Sequence, residues 1–194
     1  MKKKIIITGG LGYIGTELCK IYSGYSWHHE ITVIDNRFIS ERVNQIRNWN
    51  MEFVHGDLLD KNLVQKYFKD ADIVHHLAGI TAVPRTKNES TQILDEKIRL
   101  VAEKSTENIL EAVSEKCKII FPSTHVVYEG IEGVKKEIKE NEPTKPILAY
   151  SSSKALNEKQ LIESNKNYVI LRLGSVYGYS TDTARIDIMP NLFS

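Results

Sequence analysis

Apolar residues along the 194-residue chain fall into two alternating patterns. Short, nearly unbroken β-branched runs are each followed by a longer stretch in which apolar positions recur every three or four residues. The pairs read "KIIITGG" then "IGTELCKIYS", "EITVIDN" then "ERVNQIRNW", "MEFVHGD" then "KNLVQKYFK", and "ADIVHHLAG" then the long "STQILDEKIRLVAEKSTENILEAVSEK". "CKIIFPST", a helix after Ala149 and "YVILRLGSVYG" continue the series. A strand that is apolar at every position suits burial on both faces, as in a parallel sheet under helices. The alternation therefore predicts an α/β fold, a doubly wound parallel sheet. Residues 129–147 are charged and contain Gly and Pro, which predicts a surface loop ahead of the helix at Tyr150. Ligands of open α/β sheets bind beyond the carboxyl ends of strands. A loop there either covers a substrate or simply connects.

Composition narrows the class. At 41% apolar and 26% charged the chain has the make-up of an ordinary globular protein, and its net charge of +1 leaves no basic footprint for nucleic acid. The length suits one well-cored domain. Lys2, Lys3 and Lys4 precede Ile5, Ile6 and Ile7, but Thr8-Gly9-Gly10 ends the apolar run too early for an export signal. No window approaches the roughly 18 apolar residues of a membrane span. Cys19 and Cys117 lie far apart in apolar segments, so buried free thiols and a reducing, cytoplasmic setting are expected. His75 and His76 are neighbours on a strand and point to opposite faces, so no metal site is expected of them.

The first strand runs into "TGGLGYIG", where Gly9, Gly12 and Gly15 have the G-x-x-G-x-x-G spacing. Glycines there permit a tight turn, close approach of the main chain to a pyrophosphate and close packing of helix on strand. The helix N-terminus then offers amide donors to the anion. Asp35 ends the second strand about twenty residues past the last glycine, where a carboxylate accepts both ribose hydroxyls of an adenosine. It repels a 2′-phosphate, which favours NAD over NADP, and Arg37 and Arg42 are near enough in sequence to soften that preference.

Farther on, "AYSSSKALNEKQ" places a phenol at Tyr150 and an ammonium at Lys154, one helical turn apart on the same face. Oxidising an alcohol requires a base for its proton, and a phenol with a reference pKa of about 10 is a poor one near neutrality. A cation at Lys154, together with a positive nicotinamide ring, would favour the phenolate.

With these pieces assembled, the sequence resembles the extended short-chain dehydrogenase/reductase family, and especially its nucleotide-sugar epimerases of the UDP-glucose 4-epimerase type. The matches are "TGGLGYIG", "VIDN", "GDLLD", "HHLAGITAV", "PSTHVVY", "YSSSK" and "LRLGSVYG", in the family's order along nearly the whole chain. The resemblance implies a Rossmann domain over residues 1–174 that binds NAD. Residues 175–194 would begin a substrate-binding region, with most of the C-terminal substrate domain absent. It implies catalysis by Thr124, Tyr150 and Lys154, the lysine also holding the nicotinamide ribose. The cofactor would be held by Gly9, Gly12, Tyr13, Ile14, Gly15, Asp35, Asn36, Asp57, Leu58, Leu77, Ala78, Gly79, Thr81, Tyr150, Lys154, Leu173 and Val176. The substrate would meet Ser123, Thr124 and Ser175. For Asp57 the alternative is a cap for the helix starting near Asp60.

Departures from the family pattern bear on the reaction. Its sugar dehydratases carry T-D-E where this chain has Thr124-His125-Val126, so dehydration is not expected. His125 is either an auxiliary acid or a strand-end histidine bonded to its surroundings. "STHVVYEG" is similar to "STDYVFDG" of the family's 4-keto-sugar reductases, which keeps net reduction as an alternative, beside a non-catalytic dinucleotide-binding module. The N-V-x-G-T of the family reads Ala102-Glu103-Lys104-Ser105-Thr106 here, without its asparagine. Ser175 stands where the family usually has another asparagine and can do only part of its work. The resemblance also implies a nucleotide-sugar partner and a homodimer through the helices near 92–114 and 150–164.

Overall fold

The computed structural model describes residues 2–81, 91–133 and 137–178. Six strands, β1 (Lys4–Thr8), β2 (Glu30–Asp35), β3 (Glu52–His55), β4 (Ile73–His76), β5 (Lys118–Thr124) and β6 (Asn167–Leu173), form one parallel sheet in the order β3-β2-β1-β4-β5-β6. The connecting helices are α1 (Tyr13–Ser23), α2 (Ser40–Asn48), α3 (Lys61–Phe68), α4 (Gln92–Ala112) and α5 (Ala149–Glu163). The doubly wound sheet expected from the apolar runs is present.

Alternation along β1 separates two cores. Ile5 and Ile7 pack with Cys19 of α1 and Val43 and Ile46 of α2. Ile6 faces the other way, into a cluster with Phe68 of α3, Ile109 of α4, Leu161 of α5 and Phe121 of β5. Both cysteines are buried free thiols, and burial raises Cys19 to about 12 and Cys117 to about 11. On β6, Val169 and Leu171 remain 39% and 42% exposed.

The strand order reverses between β1 and β4, which is where doubly wound sheets open a crevice beyond their carboxyl ends. Local chemistry sets the elements bordering that crevice. Asp60 caps α3 by accepting from Asn62 N at 2.9 Å and Leu63 N at 3.1 Å. Helix α5 starts at Ala149, within a residue of where the sequence places it, and Glu129 Oε1 secures that start by accepting from Ile147 N at 2.6 Å and Leu148 N at 2.8 Å and from the Ser151 hydroxyl. These contacts hold the Glu129 carboxyl below the usual carboxylate range despite its partial burial.

Within residues 129–147, the described part is tied down: Gly130 N donates to Lys145 O at 2.8 Å and Arg172 Nη1 to Glu140 O at 2.8 Å. No described residue of that segment lines the crevice. Among the described residues, no helix is long and apolar enough to cross a membrane.

Candidate active site

A cleft of about 1330 Å³ lies at the carboxyl edge, and every cofactor, catalytic and substrate residue expected from the sequence lines it. Its two sides are built differently.

On the β1–α1–β2 side the wall is mostly backbone. Gly9 adopts φ +67°, and a Cβ there would stand 2.8 Å from Ala78 Cα. A Cβ on Gly15 would stand 2.3 Å from the Gly9 carbonyl oxygen, so α1 can approach the turn only with glycine there. Helix α1 begins after Gly12 with no side-chain cap and no acidic residue in its first turn. Its first-turn amides, at Tyr13 and Ile14, therefore border the cleft without a carboxylate competitor, which suits an anion. Tyr13 Oη donates to Gly178 O at 2.6 Å, joining the start of α1 to the segment after β6.

Asp35 sits beside this cradle, 6% exposed. Its Oδ2 accepts from Leu11 N at 3.0 Å and its Oδ1 from Arg37 N at 2.9 Å. The Arg37 side chain approaches Oδ1 at 3.4 Å, and Arg42 Nη1 donates to Leu11 O at 2.5 Å. Asp57 does not cap α3: its Oδ1 accepts from Leu59 N at 2.9 Å and its Oδ2 from Asn36 Nδ2 at 3.3 Å. Those bonds fix the β2 and β3 ends relative to one another, with Leu58 buried alongside. Leu77, Ala78, Gly79 and Thr81 follow β4 along the cleft, and a Cβ on Gly79 would meet nothing within 4 Å, so that stretch opens into it.

The β5–α5–β6 side is made of long side chains. Tyr150 lies in the first turn of α5 and Lys154 one turn on, and both line the cleft with Thr124. Lys154 Nζ donates to Pro122 O at 2.8 Å and stands 4.4 Å over the Phe121 ring. Burial lowers the Lys154 ammonium to about 8, opposed by the charge of Glu158. Thr124 Oγ1 accepts from Val126 N at 3.3 Å, starting the short 3₁₀ turn His125–Tyr128, which leaves its own proton to donate.

Ser123 is buried and its hydroxyl donates to Glu158. Glu158, 3% exposed, pairs with Arg172 Nη2 at 2.6 Å, and Arg172 Nη1 also bonds the Tyr128 hydroxyl. His125 Nδ1 donates to Leu173 O at 3.1 Å, which fits the bonded-histidine alternative. Leu173, Ser175 and Val176 complete this side. His75 bonds the Tyr22 hydroxyl at 2.8 Å, whereas His76 bonds Thr8 and Thr106, so the two rings do point to opposite faces.

Sequence reasoning did not single out Glu158, Arg172, Glu129 or the partners of His76. For Glu158 a signal existed, since it follows Lys154 by one helical turn. For Arg172 and Glu129, spacing alone offers none.

A family model described as the NAD dependent epimerase/dehydratase family matches residues 5–192. The chain is 31% identical over 186 residues to a putative UDP-glucose 4-epimerase of Methanocaldococcus jannaschii, covering 92% of this chain and 57% of that protein. It is 30% identical over 195 residues to the CDP-paratose 2-epimerase of Salmonella typhi, covering 94% and 53%. The chain thus spans about half the length of these relatives. Among solved structures, UDP-glucose 4-epimerase from Brucella ovis in complex with NAD superposes with a TM-score of 0.69 at 26% identity, over 88% of this chain and 51% of that one. The glycine cradle, the Asp35 carboxylate, the Tyr150–Lys154 helix and the family match together place this chain in the NAD-dependent epimerase/dehydratase family.

Proposed function

We propose that this chain is the dinucleotide-binding and catalytic part of an NAD-dependent nucleotide-sugar epimerase, which acts by transient oxidation at C4 of a UDP-linked or similar sugar. The observation that carries this reading is the meeting of Thr124, Tyr150 and Lys154 with the glycine cradle and Asp35 in one cleft. Residues 1–174 form the dinucleotide-binding domain in this reading, and 175–194 begin the substrate region.

The residues fit NAD. The uncapped start of α1 and the glycine turn suit a pyrophosphate, and the Asp35 carboxylate suits an adenosine ribose. When bound, the dinucleotide supplies a hydride acceptor that later serves as donor. The protein's own groups handle the proton. Tyr150 takes the proton of the C4 hydroxyl as base and returns it as acid to the 4-keto group after the sugar has rotated. Lys154, held by the Pro122 carbonyl, stabilises the phenolate by its charge. Thr124 donates to the reacting oxygen, and Ser175 meets the substrate. Ser123, by contrast, has its proton committed to Glu158, so its part is to set the end of β5.

The homodimer is retained in this reading. Ile93 and Leu100, two turns apart on α4, and Ile162 on α5 are 81%, 52% and 57% exposed, which leaves apolar surface on both helices for a partner copy. Equilibrium sedimentation checks it: a monomer at all concentrations would remove it.

The test is incubation with NAD⁺ and either UDP-glucose or UDP-N-acetylglucosamine, followed by proton NMR of the anomeric signals. Epimer formation with no net change in the absorbance of reduced dinucleotide is expected. Tyr150→Phe should lower the rate by about 10²–10⁴. Stoichiometric consumption of NADH or NADPH by a 4-keto sugar would instead select the reductase.

A further inference from the structure

Beneath the cleft lies an imidazole for which the proposed chemistry has no use. His76 ends β4 and is 2% exposed. Its Nδ1 is 3.2 Å from Thr8 Oγ1 and its Nε2 is 3.1 Å from Thr106 Oγ1. A single imidazole–hydroxyl contact leaves the proton's direction open. Here the outer partners fix it.

Asn157 Nδ2 contacts Ala102 O at 2.8 Å, an acceptor only, so this atom is the amide nitrogen. Of its three acceptors, Ala102 O, Thr106 Oγ1 at 2.9 Å and Gln160 Oε1 at 3.0 Å, the two shortest take its two protons, and it donates to Thr106 Oγ1. The Thr106 proton then has one remaining acceptor, His76 Nε2. At the far side, Thr8 Oγ1 accepts from Ala78 N at 3.0 Å and directs its own proton to His75 O at 3.4 Å, so it receives the His76 proton from Nδ1. The reverse order would strand the Thr106 proton against a donor. One direction satisfies every atom: Asn157 to Thr106, Thr106 to His76, His76 to Thr8, with the Ala78 amide joining at Thr8.

The two ends of this chain lie in the two sides of the cleft. Asn157 follows Lys154 by less than a turn on α5. Ala78 is the backbone on which Gly9 rests, close enough that a Gly9 Cβ would stand 2.8 Å from Ala78 Cα. Between them the His76 and Phe121 rings lie 5.6 Å apart, and Lys154 Nζ stands over that same Phe121 ring at 4.4 Å. A charged imidazole would face a second cation there. Burial and the nearby Lys154 charge push His76 down to about 3, so it stays neutral.

We infer that His76 is a positioning residue: as the neutral Nδ1–H tautomer it completes an ordered hydrogen-bond chain that fixes the Ala78 wall of the cleft against the helix carrying Tyr150 and Lys154, and so sets dinucleotide affinity. This rests on the dinucleotide reading above.

The first test is ¹⁵N NMR of the histidine-labelled protein. A protonated Nδ1 and an unprotonated, hydrogen-bonded Nε2 that do not titrate down to about pH 5 are expected. An Nε2–H tautomer, or an imidazolium at about pH 6, would overturn the assignment. The second test is titration with NAD⁺ alone, with melting temperature followed in parallel. Thr106→Val, which removes one hydroxyl at constant volume, should weaken binding by about tenfold, equivalent to about 1.4 kcal/mol, and Thr106→Ser should restore it. His76→Phe should weaken binding further. A folded His76→Phe or Thr106→Val protein that binds NAD⁺ as the wild type does would overturn the positioning role. If the wild type itself binds no NAD⁺, the dinucleotide reading and the role built on it both fail, while the tautomer assignment still stands or falls on the NMR.

Discussion

The two sides of the cleft achieve their shape by opposite means. The β1–α1–β2 side works by omission: glycines leave out side chains so that backbone amides can reach an anion, and the carboxylate of Asp35 is held by the main chain around it. The β5–α5–β6 side works by commitment. Helix α5 turns Ser151, Ser153, Lys154, Asn157 and Glu158 inward, a polar set that an ordinary packing helix would not bury. Ser153 donates to Tyr150 O within the helix, and the other four are matched by partners on other elements, among them the Pro122 carbonyl, Arg172, Thr106 and Glu129. A surface that binds through backbone needs only local sequence, whereas one that holds charged side chains away from water needs compensation from distant parts of the chain.

Their ion pairs show the same contrast. Arg172–Glu158 closes at 2.6 Å with side chains 19% and 4% exposed, and Arg37–Asp35 is a 3.4 Å contact in which the arginine is 55% exposed. Removing Glu158 leaves a partly buried guanidinium and the Ser123 hydroxyl without their acceptor. Glu158→Ala should therefore cost about 3–5 kcal/mol in urea unfolding. A cost below about 1 kcal/mol would show that the pair is solvated in the way surface pairs are.

On the backbone side the largest effect should come from Gly9→Ala, which combines a left-handed φ with a clash against Ala78. We expect a loss of about 2–4 kcal/mol by the same measurement. A stability equal to wild type would mean that the turn relaxes freely and is not built on omission.

Lys154 gives a pH test that only the side-chain half should show. Its folded value near 8 lies below the reference 10.5, so the unfolded chain holds the proton longer as pH rises. The burial penalty is fully present below about 8 and is relieved between 8 and 10.5. Relative to Lys154→Met, the wild type should gain up to about 1.4 kcal/mol per pH unit across that window. A flat difference would place the ammonium in contact with solvent. The smallest effect is expected from Arg37→Ala, within about 0.5 kcal/mol of wild-type stability, because an exposed, long contact is screened.

This contrast also explains what could be read from the sequence. Gly9, Gly12, Gly15 and Asp35 stand in one strand–turn–helix–strand unit, and Tyr150 and Lys154 are one turn apart, so local periodicity exposes both. His75 and His76 were separable because strand neighbours diverge. The start of α5 was legible to within a residue, but the Glu129 carboxylate that secures it was not, since it lies 18 and 19 residues before the amides it accepts from. Nor were the buried bonds of Asn157, whose partner Thr106 is 51 residues away, or of His76, whose partners lie 68 and 30 residues away. Those pairings are products of the sheet order, which sets β4 between β1 and β5 and lays α4 against α5.

The division of labour between the two sides is tested most directly by isothermal titration of NAD⁺ into wild type, Tyr150→Phe and Asp35→Ala. One NAD⁺ per chain is expected in the wild type, with Tyr150→Phe within about threefold of that affinity and Asp35→Ala weaker by about tenfold or more. Binding that survives in Asp35→Ala but disappears in Tyr150→Phe, or no binding to the wild type, would contradict it.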